Sequence, residues 1–511
     1  MGAELADAAP ELTAGYRAAL PGARAGVLGR LWRGLACDPL DCVLRREHGA
    51  DGTLRLVLAD GGRLVGPAVD PFAGGAEVPG IRHEDASGRA RVHTRAGELV
   101  RALGLPGGPG FAAELDHSTA SLALSRAGGA RAAELRPEPT DGSGAWERRL
   151  TDGHPYHPNC RSRPGFTVAE QLAYAPEHRP TVTLRLVGLD ERRALVSGVW
   201  PREWREGREL LLPVHPWQAE HVLTRARSRG EVDAAPLLAL RTLAPVADPP
   251  GGGPDTAAHV KTALSARLTS SVRDISAYSV ETALTVSEFV TDLARRFDGL
   301  LHVTRTLGAA CDRGADLSAV LRESPDGYAD RAAGERVVPV AALPLAAPTG
   351  DPGWAAAFAE LVLRVGVGML DLGVALEGHG QNLLVVLGPD GAPRRLVYRD
   401  LADIRISPAR LAEHGIAPPA LTGRLLNDEP GALRRKALGS LLVGSLGATL
   451  GSRRALAEAL GTAADRLPRT PALTAALTEP LPTKALTLMR LSPTPGDHWT
   501  TVANPAAPGR H

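Results

Sequence analysis

The chain has 511 residues, 44% hydrophobic and 23% charged, the proportions of a globular enzyme of about three domains. A formal net charge of +1 gives no electrostatic reason to bind nucleic acid or an acidic membrane surface, and the acidic, Ala-rich first ten residues predict no secretory signal. The four cysteines, Cys37, Cys42, Cys160 and Cys311, lack the second close pair or histidine pair of a zinc site, so free thiols in a reducing cytoplasm are expected.

Residues 1–140 read as mixed α/β. Alternation at 54–58, a turn at Asp60, Gly61 and Gly62, and a second stretch at 63–65 predict a hairpin. Helical spacing follows at 96–103 and 112–124. A second region, 141–340, opens on a motif-rich loop at 153–166. Strands are expected at 181–187 and 210–212, and the Gly- and Pro-rich stretch 247–255 predicts a mobile loop ahead of Lys261. The third region, 341–511, starts with an apolar helix near 354–376, whose Arg364 and Asp371 suit a buried helix better than a membrane span. A strand–turn–strand unit at 377–403 and further helices follow. The last twenty residues, rich in Pro and Gly, are expected to be loosely held. The fold class is α+β with several domains.

Lysine is scarce. Of 58 basic residues only Lys261, Lys436 and Lys484 are lysine, beside three glutamines and four asparagines. The abundance of Ala, Gly, Arg and Pro points to a coding bias against Lys, Asn and Gln, so their persistence marks candidate chemistry.

The segment Glu377, Gly378, His379, Gly380, Gln381, Asn382 runs into an apolar strand, turns at 388–391 and returns through Tyr398 to Arg399 and Asp400. With the turn near residue 390, Gln381 and Asn382 fall opposite Asp400 and Arg399. Glu377, Gln381, Asn382 and Asp400 then converge at one end of a hairpin, and such oxygen donors suit Mg²⁺. Kinases hold Mg·ATP on a similar layout, which makes phosphotransfer a rival reading. The catalytic Asp shortly after the His, the early Gly-rich loop and a P-loop before Lys261 are all missing from the sequence.

A second cluster, Lys261, Thr262, Ser265, Arg267, Thr269, Ser270, Ser271 and Arg273, combines cations with hydroxyls and suits a triphosphate or tricarboxylate. Arg241 and Thr242 lie upstream. The third cluster runs from His154 through His157 to Arg161, Arg163 and Phe166. Its prolines argue against a helix that would align the histidines on zinc, and carboxylate or phosphate binding fits better.

Taken together these segments resemble the NRPS-independent siderophore synthetase family, to which the aerobactin synthetases belong. The resemblance rests on His154 to Pro158 with Gly165, then Arg241 and Thr242, Lys261, Thr269 and Ser270, Arg273, Glu377 with His379 to Asn382, and Arg399 with Asp400. Their order and spacing agree over about 250 residues. The segment from Leu212 to Gln218, Lys484, and Asn504 with Pro505 are similar as well. Arg161 stands where the family usually has Lys, and Ala239 where it usually has Ser.

The resemblance implies a cupped hand, with a thumb at 1–140, fingers at 141–340 and a palm at 341–511 that carries a kinase-like metal-binding hairpin. It implies that ATP and Mg²⁺ activate a carboxylate of citrate or a related polycarboxylic acid as an acyl adenylate, which an amine or alcohol then attacks. The expected roles are Glu377, Asn382 and Asp400 on the metal; Lys261, Arg241, Arg273, His154, Arg161, Thr269, Ser270 and Gln381 on the nucleotide; and Thr269, Arg273 and His379 on the acid, with Lys261, Arg273 and His379 the expected catalytic residues. His379 is the candidate base. No nucleic acid or membrane partner is expected, and a homodimer is the assembly the resemblance suggests. The rivals are a kinase-like phosphotransferase and a non-catalytic binding homologue.

Overall fold

The computed structural model describes residues 1–133, 142–246, 258–269 and 271–507. Ser270 and the expected loop at 247–255 lie outside these. The chain is a mixture of helices and sheets, as expected.

The amino-terminal region packs two long helices, Thr13–Cys37 and Gly108–Ala133, against each other and against a five-stranded antiparallel sheet. The expected hairpin is present as Thr53–Leu58 paired with Arg63–Pro67, and Leu54, Leu56 and Leu58 alternate into the core. The carboxy-terminal segment docks on this region. Asp38, just past the first long helix, accepts the Thr487 and Leu488 backbone N–H groups at 2.8 and 3.1 Å. Gly34 permits the contact, since a Cβ there would lie 1.9 Å from Thr487 Oγ1. The strand Trp499–Val502 pairs with Leu481–Lys484, and Asn504 is buried. The expectation of a loosely held end is therefore overturned for residues up to 507.

The middle region is a nine-stranded antiparallel sheet. Its central strands Ala258–Thr262 and Ser318–Glu323 pair His259 with Arg322 and Lys261 with Val320. Opposed residues share a face, so Lys261 and Arg322 emerge side by side.

The third region centres on a four-stranded sheet that contains the expected hairpin, Leu383–Leu387 and Pro393–Tyr398. Two of its strands, Leu301–Val303 and Arg336–Pro339, come from residues before 341, so the second and third regions interlock rather than meet at one boundary. Behind the sheet runs the helix Pro352–Val362, continued through a π-helical stretch to Asp371. By length and composition it is the one candidate membrane span among the described residues, but 72% of its most apolar window is buried in the protein core.

Candidate active site

The hairpin fixes one wall of a cleft. Leu383 pairs with Tyr398, and the Arg399 N–H donates to the Asn382 carbonyl, which is the expected register. The buried Tyr398 hydroxyl accepts the Glu377 N–H at 3.1 Å and donates to the Asp400 carbonyl at 3.3 Å, tying the two ends of the unit together. Arg399 clamps it from outside. Its Nε and Nη2 donate to the Gln381 carbonyl at 3.0 and 2.8 Å, and its Nη1 lies 2.7 Å from the fully buried Glu147. Glu147 in turn accepts the Leu238 N–H at 2.7 Å, close to Arg241.

The sheet supplies the opposite wall. Lys261 Nζ donates to both oxygens of Asp400, at 2.7 and 2.6 Å. Burial would raise the Asp400 carboxyl, but Lys261, Arg322 and Arg241 outweigh it and hold it far below the usual carboxylate range. Burial lowers Lys261 to about 8 and Arg241 and Arg322 to about 10, against the pull of Asp400. Arg241 Nη1 also donates to the Arg273 and Asp274 carbonyls. Arg273 feels both Asp400 and Glu377. Four cations thus face Asp400.

Backbone strain gathers here. Of six described non-glycine residues with positive φ, three border the cleft: Leu240 (60°), Thr269 (60°) and Asp400 (73°). Thr269 is β-branched, for which this region is especially unfavourable. Such residues concentrate at functional sites.

His154, His157 and His379 share one hydrogen-bonding pattern. Nδ1 of His154 accepts the Tyr156 and His157 N–H groups at 3.1 Å each, Nδ1 of His157 accepts the Asn159 N–H at 2.9 Å, and Nδ1 of His379 accepts the Gln381 N–H at 3.3 Å. Each neutral ring therefore carries its proton on Nε2 and acts as a donor. Burial pushes all three below the ordinary histidine value: His157 to about 3, His154 well below. His154 keeps its ring open to the cleft, whose walls still enclose it in a poorly solvated setting. In this arrangement His379 offers an N–H at Nε2, while its Nδ1 lone pair is engaged by Gln381.

Arg161 is engaged within its own loop. Its Nε donates to the Thr151 carbonyl at 2.7 Å, its Nη2 to the Leu150 carbonyl, and its Nη1 lies 3.4 Å from Glu177. With Arg163 it brackets the buried Glu177, and so it anchors the histidine loop. The structure thus brings together Lys261, Arg241, Arg273, His379, Glu377, Gln381, Asn382 and Asp400, with His154 beside His379 and Thr269 at the edge.

Two cations were missed. Arg322 is buried at 6% exposure beside His259, hidden in the sequence by being one arginine among many. Lys436 Nζ lies 2.6 Å from Asp403 and 3.2 Å from Glu377; its scarcity was the available signal. Burial raises Glu377 less than Lys484, His379 and Lys436 lower it.

The proposed metal ligands are hard oxygen donors of the right chemistry for Mg²⁺. Both Asp400 oxygens are bound by Lys261, and Glu377 Oε1 faces Lys436 and Lys484, so a cation there would replace ammonium groups as counter-charge. Among the described residues no three His, Cys, Asp or Glu side chains are grouped to hold a metal. A separate cavity of about 580 Å³, lined by His302, Arg305, Glu323 and Tyr328, contains none of the predicted residues. Its Tyr328 and Arg305 both bond to Glu323.

A fold of this kind, with cations from a central sheet facing a carboxylate hairpin, defines a class with known members. Residues 144–344 match the model of the IucA / IucC family, and residues 353–494 that of the Ferric iron reductase FhuF-like transporter family. Over these stretches the chain is similar to NRPS-independent siderophore synthetases, in line with the motifs of its sequence. It is 24% identical over 319 residues to the citryl-spermidine/3,4-dihydroxybenzoyl-citryl-spermidine:spermidine ligase of Bacillus anthracis, covering 50% of each chain. Among solved structures it resembles the petrobactin biosynthesis protein AsbB of Bacillus anthracis, with a TM-score of 0.78 at 18% identity over 97% of this chain and 98% of that one. The ATP-bound aerobactin synthetase IucA of Klebsiella pneumoniae gives a TM-score of 0.72 at 20% identity, over 95% and 99%. The chain spans between 50% and 63% of the length of the curated relatives it matches.

Proposed function

We propose that the chain is a cytoplasmic ATP-dependent siderophore synthetase. It adenylates a carboxylate of citrate or a related polycarboxylic acid and condenses it with an amine or alcohol, releasing AMP and pyrophosphate. The observation that carries this reading is the convergence of cations in the cleft: Lys261, Arg241, Arg273 and Arg322 all face Asp400, with Glu377, Asp274 and Glu147 each facing only one of the arginines. Burying that many cations is costly unless a polyanion completes the site. The similarity to an ATP-bound synthetase and to a citryl-spermidine ligase supports a nucleotide and an acid as that polyanion.

In this reading an oxygen of the acid attacks the α-phosphorus and pyrophosphate leaves. The nitrogen or oxygen of the second substrate then attacks the acyl carbon and AMP leaves. Both steps bring anions together, and the cations lower that repulsion. Lys261, Arg241 and Arg322 would hold phosphates. Arg273, Thr269 and the Nε2–H of His379 would orient the acid's carboxylates, with His154 beside them. Glu377, Asn382 and Asp400 would hold Mg²⁺, which neutralises phosphate charge when bound. The cupped hand of thumb, fingers and palm, with the hairpin in the palm, is the arrangement we assign.

The test is release of pyrophosphate from ATP with a panel of polycarboxylic acids and amines, read with mass spectrometry of the products. AMP and an acid-amine or acid-alcohol conjugate are expected. ADP with a phosphorylated product would mean a kinase, and binding without turnover a non-catalytic homologue.

A further inference from the structure

All three lysines of the chain lie on the same cleft. Lys261 binds Asp400, Lys436 bridges Asp403 and Glu377, and Lys484 bridges Glu377 and Asp497. Against 58 basic residues in total, that distribution is far from random. Lys436 and Lys484 meet on one atom: Glu377 Oε1 lies 3.2 Å from the first ammonium and 3.3 Å from the second. Their exposures differ. Lys436 is 5% exposed, behind the carboxylate, while Lys484 is 30% exposed, at the open side.

Lys436 is held from several directions. Its ammonium sits 2.6 Å from Asp403, which Arg405 also binds at 2.9 Å. Its carbonyl accepts the Ser440 hydroxyl at 2.7 Å, where the helix Pro430–Leu438 passes into a π-helical stretch. A compact ammonium can point donors at two carboxylates at once, whereas a planar guanidinium is longer and imposes its own fork geometry. That accounts for a lysine in a chain that otherwise uses arginine.

We propose that Lys436 is a positioning residue: it shares the charge of Glu377 from behind, so that Lys484, which also touches Glu377 and Asp497, is held less tightly and can turn to an anionic acid at the open side. In the metal-free protein, loss of Lys436 leaves Glu377 with more uncompensated charge, which holds Lys484 more firmly and repels an incoming carboxylate. This rests on the synthetase reading above, and it concerns a residue that contacts neither the nucleotide nor the acid.

The test compares wild type with Lys436→Met and Lys436→Arg, using citrate as the probe. Pyrophosphate release is measured against citrate and against ATP, and citrate affinity by calorimetry without turnover. Lys436→Met is expected to raise the citrate KM and Kd about tenfold while the ATP KM stays within about twofold, and Lys436→Arg, which keeps the charge, is expected to recover most of the citrate affinity. Lys436→Gln gives the same comparison where Lys436→Met does not fold. An unchanged citrate affinity in the neutral variant would overturn the proposal, as would no recovery in the arginine variant, or citrate and ATP KM rising together with a lower Tm, the pattern of general damage. Wild type that binds citrate but releases no pyrophosphate refutes the synthetase reading alone, and the affinity ratio still decides the role of Lys436. Wild type that binds neither citrate nor any other acid of the panel overturns both.

Discussion

The Lys261–Asp400 pair allows a prediction in which the two halves of one salt bridge behave unequally. Both Asp400 oxygens lie within 2.7 Å of Lys261 Nζ, and Lys261 is 9% exposed by side chain. At an effective dielectric near 20, two unit charges about 4 Å apart interact by about 4 kcal/mol. Asp400→Asn removes the carboxylate and leaves Lys261, Arg241 and Arg322 facing one another. Breaking a buried pair in this sense costs about 3–5 kcal/mol. Lys261→Met instead removes one of several cations, and Arg322 and Arg241 still oppose Asp400. Its cost is at most about 2 kcal/mol, the scale of a lost charged hydrogen bond. Urea denaturation of the two variants measures the difference, and both should lose acid-dependent pyrophosphate release. The surplus cations of Asp400→Asn should also bind inorganic tripolyphosphate, raising its Tm more than that of wild type. A larger stability loss in Lys261→Met than in Asp400→Asn would refute the convergence of cations on Asp400.

Three further outcomes follow from the same geometry. Lys261 is lowered to about 8 by burial, and its charged form is the one that meets phosphate, so kcat/KM for ATP should fall as pH rises through about 8; a profile flat to pH 10 would count against it. Asp38, raised to about 6 by burial, binds its proton more tightly folded than unfolded. Stability should therefore be greatest below about pH 4 on this account and fall by about 3 kcal/mol as pH rises through 6, a slope that Asp38→Asn removes in denaturation series. His379 donates from Nε2, and burial lowers it below the ordinary histidine value, so His379→Gln, which can place an N–H nearby, should retain more activity than His379→Ala in pyrophosphate-release assays.

The hairpin was legible because its signals are local. A turn, two apolar strands and polar ends fix the register of Asn382 against Arg399 whatever surrounds them. The lysine argument also carried further than expected, since Lys436 and Lys484 join Lys261 at one cleft. Glutamine shows its limit. Gln218 is buried and bonded to Ser265 and the Asp316 carbonyl, a structural role no scarcity argument separates from a functional one. Arg161 and Arg322 were not separable either. One turns from a loop to Glu177 and the other from a strand to Asp400, and the choice depends on tertiary packing that no local pattern records. The same holds for the docked carboxy-terminal strand, whose Pro- and Gly-rich sequence hides contacts with Cys37 and Asp38 made more than 400 residues away.

The strained backbone gives a final, separable prediction. Left-handed conformation costs an L-residue about 1–2 kcal/mol, and Thr269 bears that cost with a branched side chain. Its neighbours hold it there: the Thr269 N–H donates to the Ser162 carbonyl at 3.2 Å, which ties it to the histidine loop. Thr269→Gly relieves the strain and removes the hydroxyl; Thr269→Ala removes the hydroxyl and keeps the strain. If the conformation serves to aim the hydroxyl at the acid, both variants lose turnover to a similar degree. Their stabilities then diverge, with the glycine variant more stable than the alanine variant by about 1 kcal/mol. Thermal unfolding and pyrophosphate release on the same preparations give both numbers. An alanine variant as stable as the glycine variant would mean that no strain is stored at this position, and full turnover in either would remove Thr269 from the site.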